Sequence, residues 1–127
     1  MGRGSPALFL AFAALTGCGS GPLRDLAIFL GPAEKQLAQG IRFYEDGDYR
    51  EAARLLQSSY DSGLKTKYDQ VNARKYLAFV YCVSNRERQC RDEFRKALDL
   101  KPSFDLDESE AGHPIWGPVF RSIKARK

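Results

Sequence analysis

Few residues in this chain could do covalent or coordination chemistry: Cys18, Cys82 and Cys90, the lone His113, and the carboxylates Asp105, Asp107, Glu108 and Glu110. A zinc site built on two cysteines needs two further ligands at suitable spacing, and a C-x-x-C redox pair is absent. A calcium loop needs oxygen ligands at fixed offsets and a Gly at its sharp turn. Residues 103–112 meet neither demand and read as a solvated acidic loop with room for one helical turn. His113 precedes a proline and has no second histidine, which argues against metal binding or catalysis. No nucleophile–base set and no glycine-rich phosphate loop is legible, so no enzyme, cofactor or metal is expected.

What remains is scaffold. The stretch Val71–Pro102 places Leu77, Ala78, Tyr81, Cys90, Phe94, Ala97 and Pro102 where the tetratricopeptide pattern has its large, small and terminal residues. It resembles that family, with Cys90 a small-for-small replacement of Ala. Small residues allow two antiparallel helices to approach, and large ones fill the flanking grooves. An earlier copy begins at Ala33. Gly40 takes its small position, Phe43 its aromatic one, and Ala52 and Leu56 its inner positions, with Gly47-Asp48-Tyr49 as the turn. Ala52, Leu55, Leu56, Ser59 and Tyr60 form one helical stripe, weakest at Ser59. The copies lie 38 residues apart, four more than the pattern's 34, so a longer connection after Gly63 is expected. The resemblance implies an all-α fold of two tetratricopeptide-type helical hairpins. It also implies a groove made by the first helix of each. There Leu37, Ile41, Tyr44, Lys75 and Phe79 are the expected partner-binding residues.

Within that hairpin Cys82 lies near the end of one helix and Cys90 about one turn into the next. At 1.5 Å rise per residue their heights differ by about 3 Å, within reach of a disulfide. We expect the bridge, with two free buried thiols as the alternative. Cys82 sits at a position that often faces the groove, so its helix must rotate slightly.

Two repeats are fewer than such a stack normally needs. The tail from His113 to Lys127 supplies a stripe at Trp116, Val119, Phe120 and Ile123, with Pro118 suited to a first helical turn. We expect it to dock as a C-terminal capping helix; an exposed partner patch is the competing reading. The basic end, Arg121, Lys124, Arg126 and Lys127, reads as a solvated helix terminus complementing its own dipole.

At the other end Ala7–Leu15 is apolar, follows Arg3, and is too short to span a bilayer. Leu15-Thr16-Gly17-Cys18 resembles a bacterial lipobox. The resemblance implies residues 1–17 as a signal peptide and Cys18 as the lipidated residue. Gly19 behind it implies sorting to the outer membrane, with the protein facing the periplasm. Residues 18–32 then form a tether and lead-in, where Leu23, Leu26, Ala27 and Leu30 recur at helical spacing. The TPR-like domain with its cap fills 33–127. A formal net charge of +4 spread through helices carries little weight for nucleic acid, and none is expected as a partner.

Taken together, the lipobox, the phrases KYLAFVYC and QCRDEFRKAL, and the tail phrases PSF and GHPIWGPVF resemble the TssQ-like lipoproteins associated with type VI secretion. That resemblance implies a non-enzymatic adaptor, anchored by its lipid and bound to protein partners of an envelope or secretion complex. An adaptor for cell-wall or outer-membrane assembly is the alternative.

Overall fold

The computed structural model describes residues 30–126. The expected signal peptide, the expected lipidation site Cys18 and the lead-in up to residue 29 lie outside the described residues. All regular structure among the described residues is helical: α1 Pro32–Glu45, α2 Tyr49–Asp61, α3 Lys67–Val83, α4 Glu87–Leu100, the single turn α5 Glu108–Ala111, and α6 Trp116–Lys124.

The starts of the first three helices have local causes. Pro32 opens α1, where its missing N–H costs nothing, and Glu34 sits against the positive end of the dipole. The Glu34 carboxylate also accepts from the Lys65 backbone N–H at 3.2 Å. Asp48 caps α2 by accepting from the Glu51 N–H, 3.3 Å, and Thr66 caps α3 by accepting from the Asp69 N–H, 3.1 Å. That second cap explains the extra spacing between the copies. The residues before Val71 are a further turn of helix rather than a longer loop, so α3 has 17 residues where α1 has 14.

The two hairpins repeat each other closely. The α1–α2 turn passes through Gly47 at φ +85°, and the α3–α4 turn passes through Asn85 at φ +64°. These left-handed residues stand 38 positions apart; Gly and Asn tolerate that conformation best. Equivalent inner positions, Ala52 and Cys90, Leu56 and Phe94, Ser59 and Ala97, are all fully buried. Gly40 is needed where α1 crosses α2: a Cβ there would lie 2.8 Å from Leu56 Cγ. Ser59 is no weakness, because its hydroxyl donates to the Leu56 carbonyl at 2.7 Å.

Helix α3 is central. It packs on α1, α2, α4 and α6 and buries residues on several faces, which is why it lacks a single clean stripe. On the α2 side it meets Leu56 with Ala73 and Leu77. On the other side Phe79 and Cys82 join Phe94, Phe120 and Trp116. Cys82 and Cys90 join α3 to α4 in a disulfide, their Cα atoms 5.1 Å apart. Both are buried.

The tail lies against α3 and α4. Trp116, Val119, Phe120 and Ile123 are all buried, with Phe120 edge-on to Phe94 at 5.1 Å and to Phe104 at 5.5 Å. Two expectations need correction. The acidic loop is not simply solvated, since Phe104 and Leu106 enter the core from it. Nor is the basic end only a solvated terminus. Arg121 donates to the Ala111 carbonyl at 3.0 Å, and the Lys124 ammonium donates to that of Phe104.

Candidate interaction groove and its occupant

Tyr44, Lys75 and Phe79, from the first helices of the two hairpins, come together, but the chain's own tail covers them; Ile41 instead packs against the core of the first hairpin. Phe79 is 1% exposed and lies under Trp116, the ring centroids 3.9 Å apart and the planes within 14°. His113 stacks on Trp116 at 3.5 Å and 7°. Two near-parallel rings this close to one centroid cannot share a face, so Phe79, Trp116 and His113 form a sandwich. The indole N–H donates to the Glu110 carbonyl at 2.9 Å, which satisfies the polar edge of a buried ring. His113 itself accepts through Nδ1 from the Ile115 N–H at 3.1 Å. Its role is to pack and to shape the turn into α6.

Lys75, 8% exposed, reaches back under the same turn. Its Nζ lies 2.8 Å from Glu110 Oε2 and 4.7 Å from the Tyr76 ring centroid. A charge this deep needs such partners, because desolvation alone would cost several kcal/mol. The short helix α5 therefore has a function in the fold: it carries the carboxylate that neutralises Lys75 and the carbonyl that receives Trp116. Gly117 makes this approach possible, since a Cβ there would sit 2.4 Å from the Ala111 carbonyl oxygen.

Of the five residues expected to bind a partner, Leu37, Lys75 and Phe79 are thus buried within the chain. Leu37 belongs to the core of the first hairpin. A partner reaches Lys75 or Phe79 only by displacing the tail. Ile41 and Tyr44 stay half-exposed. Tyr44 meets Tyr76 edge-on at 5.3 Å and lies within 6.4 Å of Trp116. Burial, followed by the neighbouring Tyr49 and Tyr76 hydroxyls, pushes the Tyr44 phenol up to about 12. Burial also raises Tyr76 and Tyr81.

A second polar cluster, absent from the expectations above, links the two hairpins. Arg74 on α3 pairs with Glu93 on α4 at 2.8 Å, both nearly buried, and Lys96 joins Glu93 at 3.0 Å. The Arg74 guanidinium also covers the Tyr60 ring, 3.7 Å from its centroid, so one side chain touches both hairpins. Helical spacing carried the signal: Arg74 lies three residues from Val71 and from Leu77, and Glu93 three from Cys90.

No protein-family model, curated protein or solved structure matches this chain. Among the described residues, no group of three or more His, Cys, Asp or Glu side chains could hold a metal ion, and no helix is long and apolar enough to cross a membrane.

Proposed function

We propose that this protein is a non-enzymatic adaptor of tetratricopeptide type, held to the outer membrane by a lipid on Cys18. It faces the periplasm and serves as an accessory component of a type VI secretion system. The observation that carries the reading is the internal repeat in three dimensions. Both hairpins turn on a left-handed residue, Gly47 and Asn85, and both bury the same positions. Repeats of this kind build contact surface rather than a reactive centre. The Leu15–Cys18 motif supplies the anchor, and acyl chains contributing about 0.8 kcal/mol per buried CH₂ make such attachment stable. The Cys82–Cys90 bridge is in keeping with an oxidising compartment.

Two measurements test it. Cys18→Ser should abolish palmitate labelling and release the protein from membranes; undiminished labelling rules the anchor out. Crosslinking in intact cells should capture a subunit of the secretion machinery. Capture of a cell-wall enzyme or a barrel-assembly component instead would favour the alternative, an adaptor for envelope assembly.

A further inference from the structure

At the turn end of the two hairpins, the first turn of α2 faces the last turn of α3 across an open notch of about 630 Å³. Tyr49, Arg50 and Ala53 line it from α2, Val80 and Tyr81 from α3, and Arg86 from the α3–α4 turn. No Asp or Glu lines it among the described residues.

The two arginines set this notch apart. Both are exposed, and neither guanidinium makes an ion pair or side-chain hydrogen bond among the described residues. Each has an acid next to it in sequence, but that acid is engaged elsewhere. Glu51, beside Arg50, is held by Arg54, and Glu87, beside Arg86, is held by Arg91 at 3.1 Å. At the start of each second helix a carboxylate is thus tied to a later arginine and an earlier arginine lines the notch; Arg50 also borders a second hollow with Asp48 and Glu51. Between the two cations lie the buried Val80, the half-buried Ala53, Tyr49 and Tyr81, and the exposed Ser84.

We propose that this notch receives an acidic segment of the partner protein, with carboxylates meeting Arg50 and Arg86 and an apolar side chain seated between Ala53, Val80 and the tyrosines. Guanidinium groups suit carboxylates because their planar forks offer paired N–H donors. The volume falls within the roughly 300–1,000 Å³ of small-ligand sites, which is enough for a few side chains. Two cations are few for a nucleic acid, whose affinity comes from many phosphate contacts, and suit a short acidic segment better. The proposal rests on the adaptor reading for the partner being a protein. Peptide binding by the purified chain depends on neither the anchor nor the secretion system, so the two can fail separately.

The test is fluorescence anisotropy on the full chain with a fluorescein-labelled octapeptide of alternating aspartate and leucine. The expected result is saturable binding that weakens about tenfold or more in the double variant Arg50→Glu/Arg86→Glu, with helicity unchanged. The variant Lys35→Glu/Arg42→Glu makes the same change in net charge on the exposed side of α1, and it should stay within about twofold of the parent. Absence of binding overturns the proposal. So does equal weakening by the two double variants, which would mean attraction by net charge alone. Equally tight binding of an eight-nucleotide thymidine oligomer, lost with the same arginines, would assign the notch to nucleic acid instead.

Discussion

Lys75 Nζ lies 2.8 Å from Glu110 Oε2, a pair that joins the middle of α3 to a helix of one turn. Its side chains are 10% and 18% exposed, so neither charge is easily left alone. Glu110→Met should cost about 3 kcal/mol, because it strands the ammonium beside Tyr76 and Phe79. The double change Lys75→Met/Glu110→Met should recover most of that loss. Urea melts of the parent, both single variants and the double variant measure the coupling; simple additivity would show that the pair contributes nothing specific.

Removing the tail should be severe. Phe120→Ala should lower the unfolding free energy by about 3–5 kcal/mol, the usual cost of deleting a buried phenyl ring. Truncation after Gly112 removes four buried side chains of about 1.5–3 kcal/mol each, comparable with the total stability of a small domain. The truncated chain should lose its cooperative melt. An unchanged melting temperature would mean that α6 is an appended binding element.

The Cys82–Cys90 bridge closes a short loop and should stabilise by about 2.6 kcal/mol in the chain-entropy picture. Thiol counting on denatured, unreduced protein from the periplasm should find neither cysteine free. Reduction should then shift the urea midpoint down without abolishing the helical signal. Two titratable thiols in that sample would leave the pair unbridged.

Tyr44 gives a prediction for alkaline pH. Its phenol titrates near 12 in the fold and near 10 in an unfolded chain. Between these values the folded state holds the proton and the unfolded state has lost it, so stability falls as pH rises. Its contribution is fully present below pH 10 and is lost on the way to 12. Tyr76 and Tyr81 are raised in the same sense. Chemical melts across this window should show declining midpoints, and Tyr44→Phe should flatten the decline. A slope identical in parent and variant would count against Tyr44 as its source.

Much of the scaffold was legible because it rests on local chemistry. Pro32, Gly47 and Pro102 mark helix boundaries, Gly40 and Ala78 mark close helix crossings, and the tail stripe points to its own burial. The groove departs from expectation for a non-local reason: Lys75 and Phe79 fit an open concave face until the tail is placed on it, and no periodicity states where a tail will land. Leu37 is buried instead by the core of its own hairpin. The start of α3 is set by Thr66, which marks it by capping and not by apolar spacing. Phe104 and Leu106 stand in a polar-looking loop, and only packing against Phe120 and its neighbours explains their burial.

The edge contact of Phe120 on Phe94 has a consequence for assembly. Repeat proteins extend, or join end to end, by offering the last hairpin's exposed side to another unit. Here α6 already occupies that side of α4, so one of the two unlike surfaces needed for an open head-to-tail chain is used up. A second copy could use that side of α4 only by first displacing Phe120 and Trp116 from it.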